Sequence, residues 1–157
     1  MTDRHHAFLN MVRRRELDLK ELSDRMEIHE LLSRYCHALD QKDWPSFRAV
    51  FSDDAILDFS AFGGPCGNAA DLEAFLVPVL DALAGSQHIV STVKIDLDGD
   101  RATARSAAIV PMTSCAADGA ERTFINGLWY EDGLIRTPNG WRIQFRKQVR
   151  GWASSPI

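Results

Sequence analysis

Tyr35, Asp40 and His88 are the residues of this sequence whose types and placing could do acid–base chemistry without a metal or cofactor. A carboxylate that accepts from one imidazole nitrogen fixes the ring tautomer and leaves the other nitrogen free to take a proton. A tyrosine hydroxyl beside that pair can donate a hydrogen bond to an oxygen that gains charge during reaction. Tyr35 lies on the apolar stripe of a predicted helix, and Asp40 lies at the C-terminal end of the same helix. The negative end of the helix dipole disfavours a carboxylate there and should raise its proton affinity. His88 opens a predicted strand, from which an imidazole can enter a space between helices and sheet. The plain alternative is structural: a histidine at a strand start is often a hydrogen-bonded core residue, and a tyrosine on an apolar stripe is first a core residue whose hydroxyl needs a partner.

Other candidates carry weaker signals. Asn126 sits mid-strand, where a buried amide could hydrogen-bond a carbonyl, and Arg136 near a strand end could close a pocket or pair with Asp132. Trp44, Phe47, Phe59, Leu76 and Trp129 could wall an apolar pocket for a steroid, polyketide or aromatic ring, and each is as readily plain core. His5, His6, His29 and His37 form no recognised metal-ligand spacing with a third donor; His37 and Asp40 are three apart on a helix but make only two ligands. No glycine-rich phosphate loop or serine-nucleophile motif appears. Neither a metal nor a cofactor is therefore expected.

The elements that must position these residues are legible from periodicity and punctuation. Asp24 followed by Glu27 has the form of a helix N-cap, and Ile28, Leu31, Leu32, Tyr35 and Leu39 recur at helical spacing up to Asp40. Asp43 caps a short second helix through Phe51, with Pro45 in its first turn. Residues 55–59 read as a short strand. A third helix begins near Asp71 and buries Leu72, Phe75, Leu76, Val79, Leu80 and Leu83, with Pro78 expected to kink it or end its first half. Strands then follow over 88–97, 102–110, 122–135 and 141–149, joined by turns at Asp98-Gly99-Asp100, Asp118-Gly119 and Asn139-Gly140. In the last strand Trp141, Ile143, Phe145 and Val149 alternate with Arg142, Gln144, Arg146 and Arg150, which predicts an apolar and a polar face. Helices first and a strand meander last give an α+β class with helices across one face of an antiparallel sheet.

A chain of 157 residues, 45% hydrophobic and 25% charged, suits one core and leaves no room for a second domain. Residues 1–22, with Arg13, Arg14 and Arg15 followed by alternating charges, read as a helical or flexible solvated arm before a domain over 23–157. A net charge of -4 leaves no cationic excess for phosphates or anionic lipid, so nucleic acid and membrane are not expected partners. The N-terminus has no hydrophobic signal core, and the three widely separated cysteines Cys36, Cys66 and Cys115 fit reduced thiols, which together predict a cytoplasmic protein.

The stretch Arg34-Tyr35-Cys36-His37-Ala38-Leu39-Asp40, then Asp43-Trp44 and Phe51-Ser52-Asp53-Asp54-Ala55, resembles the opening of the SnoaL-like family. The likeness continues through Gln87-His88-Ile89-Val90-Ser91, Asp98-Gly99-Asp100-Arg101-Ala102, Gly127-Leu128-Trp129-Tyr130 and Gly140-Trp141-Arg142-Ile143. It spans residues 24 to 152 and implies the nuclear-transport-factor-2-like fold: a cone-shaped curved antiparallel sheet with three helices on its concave face. Asp40 and His88 fall where members such as bile-acid 7α-dehydratase and hexachlorocyclohexane dehydrochlorinase place an Asp–His dyad. Tyr35 falls on the tyrosine the bile-acid enzyme uses beside it. The resemblance implies a lyase or isomerase, a dehydratase by preference, acting on a hydrophobic cyclic molecule, and a homo-oligomer, dimer or trimer. A non-catalytic binding or assembly module of the same fold is the alternative. Two departures stand out: Phe59 replaces a second tyrosine of the dehydratases, and residues 102–110 lack the second histidine of a scytalone-dehydratase site.

Overall fold

A computed structural model describes residues 18–154, so most of the N-terminal arm lies outside the described residues. The elements are α1 (Leu19–Asp40), α2 (Trp44–Ala49), β1 (Phe51–Asp58), a single 3-10 turn (Ser60–Phe62), β2 (Cys66–Gly67), α3 (Ala69–Asp81), β3 (Gly85–Ser86), β4 (Ile89–Asp98), β5 (Arg101–Cys115), β6 (Glu121–Thr137) and β7 (Gly140–Ala153). Three helices and a curved, unclosed sheet make the α+β architecture expected from the sequence. No helix among the described residues is long and apolar enough to cross a membrane.

The meander β4-β5-β6-β7 is antiparallel throughout, as the turn chemistry predicts. The sheet as a whole is mixed, however, because β1 adds to the far edge of β7 in parallel. A parallel neighbour requires a long crossover, and the whole helical and meander region between β1 and β7 supplies it. The other edge is shared: β3 and β4 both pair with β5, β3 near Met112 and β4 over the stretch from Arg101 to Ile109. His88 falls at the break between these two strands.

The apolar stripe of α1 (Ile28, Leu31, Leu32, Tyr35, Ala38, Leu39) is buried in the core with Leu134, Trp141 and Ile143 of the sheet. Burying one such aliphatic side chain contributes about 1.5–3 kcal/mol, so the stripe alone is enough to dock the helix. The small inward residues Ala104, Ser106 and Ala108 of β5 stand opposite the larger Asp132, Tyr130 and Leu128 of β6.

Several local expectations are corrected. The N-cap of α1 is Asp18, whose side chain accepts from the Glu21 amide at 2.6 Å. Asp24 is instead a buried residue nearly two turns further on, and its carboxylate takes hydrogen bonds from Lys20, Arg136 and the Trp141 indole. Asp18 and Glu21 carry the same Asp-x-x-Glu spacing as Asp24 and Glu27, so local sequence could not separate the two. The second helix stops at Ala49 and Phe51 already begins β1. The third helix starts at Ala69, behind the N-cap Asn68 that closes a capping box with Asp71, and runs through Pro78 to Asp81, because a proline in the last turn removes a single bond.

The largest correction is in β7. Its register against β6 shifts between the Gly133–Phe145 and Leu134–Ile143 pairs, which leaves Gln144 as an extra residue. A bulge of this kind reverses which side chains face inward. Trp141 and Ile143 are buried as predicted, but beyond the bulge Phe145 turns outward, 41% exposed, and Arg146 turns into the core at 1%.

Candidate active site

Asp40 and His88 meet. Asp40 is the last residue of α1, and its carboxylate accepts from the His88 backbone amide at 3.0 Å to each oxygen and lies 2.7 Å from the His88 ring nitrogen Nδ1. An ionised carboxylate can only accept, so Nδ1 carries the hydrogen and the lone pair stays on Nε2. Both side chains are largely buried, 10% exposed for His88 and 19% for Asp40. The end of α1 and the break between β3 and β4 are brought together by this one set of bonds.

His88 opens onto a cavity of about 240 Å³. Its walls are aromatic and aliphatic: Phe59 and Phe62 after β1, Phe75, Leu76, Val79 and Leu80 of α3, Val110 and Met112 of β5, and Phe124 and Leu128 of β6. The polar lining consists of His88, Asn126, Tyr130 and Gln148. Of the α3 residues that periodicity assigns to the core, Phe75 and Leu76 are only partly buried and Val79 is exposed, and all three line this space.

Tyr35 lies behind the wall rather than on it. Its ring packs edge-on to Tyr130 at 5.7 Å and to His88 at 6.5 Å, and its hydroxyl is buried without a hydrogen-bond partner. Burial, reinforced by the neighbouring Tyr130, pushes the Tyr35 phenol well above its ordinary range. Tyr130 is raised as well, by burial first, with Arg146 acting in the opposite direction. Arg146 lies with its guanidinium carbon 4.2 Å from the centres of both rings and donates to Asp132 at 2.7 and 2.8 Å. Burial disfavours its charge, but the Asp132 carboxylate outweighs that and holds Arg146 protonated.

Of the expected wall residues, Phe59, Leu76 and Asn126 line the cavity, whereas Trp44, Phe47, Trp129 and Arg136 do not. Phe47 is fully buried core, tilted against the Tyr35 ring and edge-on to Phe51, and Trp44 packs against it edge-on. Trp129 alternates with the inward Leu128 and Tyr130, so it stands on the outer face of the sheet under the Arg105 guanidinium at 4.2 Å. Arg136 pairs with Asp24 and Asp100 and lies over Trp141; the partner of Asp132 is Arg146. Sequence reasoning does not single out Tyr130 or Gln148. Alternation along β6 could have found Tyr130, but the bulge at Gln144 hides the inward turn of Arg146 and Gln148. Among the described residues no three His, Cys, Asp or Glu side chains are grouped to hold a metal ion.

Comparison with known proteins agrees with this frame. An uncharacterized protein of Mycobacterium tuberculosis is 35% identical over 134 residues, 85% of this chain and 90% of its own length. A solved structure from Novosphingobium aromaticivorans, provisionally described as an aromatic ring hydroxylase, superposes with a TM-score of 0.75 at 26% identity, covering 85% of this chain and 93% of that one. A type 2 hexachlorocyclohexane dehydrochlorinase shares the fold with a TM-score of 0.75 at 14% identity, over 90% and 93% of the two chains. The SnoaL-like domain matches residues 20–147, most of the chain. By that match and the mycobacterial relative, the chain belongs to the SnoaL-like family.

Proposed function

We propose that this protein is a cofactor-independent lyase or isomerase, a dehydratase by preference, that acts on a small hydrophobic cyclic molecule through His88 and Asp40. The observation that carries the reading is the 2.7 Å bond from His88 Nδ1 to Asp40 on the wall of an otherwise apolar cavity. His88 Nε2 takes a proton from a carbon next to a carbonyl, the freed electron pair forms a carbon–carbon double bond, and the bond to a hydroxyl on the next carbon breaks. The protonated Nε2 then returns its proton to the departing hydroxyl, which leaves as water. Asp40 holds the tautomer and stabilises the imidazolium that exists between the two transfers. The Tyr130 hydroxyl on the wall would steady charge on the carbonyl oxygen, with Tyr35 packed behind it rather than touching the substrate. The name of the dehydrochlorinase neighbour supports elimination chemistry as the class to test first.

The test is a panel of cyclic hydroxy-ketones incubated with the wild type and with His88→Ala, reading loss of water by mass. Water loss with the wild type alone supports the proposal. Binding by both proteins with no chemical change sinks it and favours a binding module of the same fold.

A further inference from the structure

The polar groups of the cavity are not scattered. Tyr130 of β6 and Gln148 of β7 are register partners on the inward face, and His88 completes a polar floor with them. Asn126 lies on the same face of β6, four residues before Tyr130 and therefore about 14 Å along the strand at about 3.4 Å per residue. Tyr130 is 0% exposed and Leu128 6%, whereas Gln148, His88, Asn126 and Phe124 are all partly buried. Tyr130 is thus the deepest polar group of the lining, and Asn126 stands further out along β6.

These polar groups have hydrogen-bonding capacity to spare. Asn126 makes no side-chain hydrogen bond among the described residues, and the buried hydroxyl of Tyr130, the register partner of Gln148, is left without a partner as well. Between the floor and Asn126 the wall is apolar, and apart from His88 no ionisable cation or carboxylate stands on it. Size adds a limit. An apolar cavity of roughly 150 Å³ holds one benzene ring, so 240 Å³ suits a ligand of about two fused rings.

We infer that Gln148 and Asn126 are specificity-determining residues that read two oxygens at opposite ends of an uncharged ligand of about two fused rings, with Gln148 placing one of them beside His88. This deepens the lyase reading and rests on it only for what happens to the oxygen at the floor. The assignment of Gln148 depends on the bulge at Gln144, without which it would face outward.

The test is calorimetric binding of 2,6-dihydroxynaphthalene, naphthalene and a four-ring steroid ketone to the full chain, its Gln148→Leu and Asn126→Leu variants, and Gln148→Met as a second probe of the floor. Thermal unfolding reports whether each variant keeps its fold. Loss of one ligand hydrogen bond should weaken the diol roughly tenfold in each variant and leave naphthalene unchanged. The inference is overturned if the wild type does not bind the diol, if folded variants bind it as tightly as wild type, or if the steroid binds as well as the diol. If the Gln148→Leu and Asn126→Leu variants weaken the diol as expected but the wild type releases no water from the cyclic hydroxy-ketone panel, the catalytic proposal fails while this assignment stands.

Discussion

Arg146 and Asp132 face one another across β6 and β7 in a two-pronged ion pair whose side chains are 1% and 0% exposed. Taking both charges out of water costs several kcal/mol each, which two short hydrogen bonds and the flanking tyrosine rings must offset. Removing either partner alone leaves the other charge buried and unpaired. Asp132→Ala and Arg146→Ala should each destabilise the protein by about 3–5 kcal/mol, read by urea unfolding. The paired replacement Asp132→Leu with Arg146→Met should recover much of that loss. If the single and double replacements cost the same, the pair is not coupled as the geometry requires.

The dyad makes a prediction that separates its two members. His88→Ala should lower turnover about 10²–10⁴-fold with little change in melting temperature, since it removes a proton carrier. Asp40→Ala should lower both, because the Asp40 carboxylate also receives the His88 backbone amide and ties the end of α1 to the start of β4. The expected extra loss is about 1–3 kcal/mol. Equal stability of the two variants would contradict the anchoring role.

Asp24 sets an acid limb. Burial raises its carboxyl, but hydrogen bonds from Arg136, Lys20 and Trp141 outweigh this and hold it below the ordinary carboxylate value. A depressed folded value means that stability is present above the unfolded carboxylate range near about 4 and is lost as pH falls through the folded value. The stability gap between the wild type and Asp24→Asn should therefore be widest near neutrality and shrink in acid, measured by denaturant unfolding at a series of pH values. A gap that does not change with pH would show that the charge is not what matters.

The protein has two tyrosines, and both are buried with phenols pushed upward. Raised folded values mean that the neutral phenols favour the folded state, so stability falls as pH rises past the unfolded tyrosine value of about 10. Tyrosinate absorbance should then appear only as the protein unfolds in alkali, in one step matching loss of the circular dichroism signal. Absorbance that develops in the folded protein would place one hydroxyl in contact with solvent.

A simple chemical probe follows from the cysteines. Cys66 and Cys115 are exposed, while burial pushes the Cys36 thiol up to about 11. Thiol labelling at neutral pH should modify Cys66 and Cys115 quickly and reach Cys36 only in denaturant, as mass spectrometry of the labelled chain would show.

The parts of this protein that local sequence determined are those where one element answers to its own residues. Helical spacing from Ile28 to Leu39 places Tyr35 in the core and Asp40 at a helix end, Asp43 caps α2, and Asp-Gly and Asn-Gly turns order the β4–β7 meander. Those placements, together with the family resemblance, pair Asp40 with His88 from the sequence alone. Only the tertiary structure decided the rest. Which of two Asp-x-x-Glu segments caps α1 depends on Arg136 and Trp141, more than a hundred residues away, claiming Asp24. The parallel docking of β1 beside β7 depends on an edge that exists only after the meander has folded. One extra residue at Gln144 turns Arg146 and Gln148 inward and Phe145 outward, and alternation along a single strand carries no mark of a bulge because the bulge belongs to the pairing of two strands.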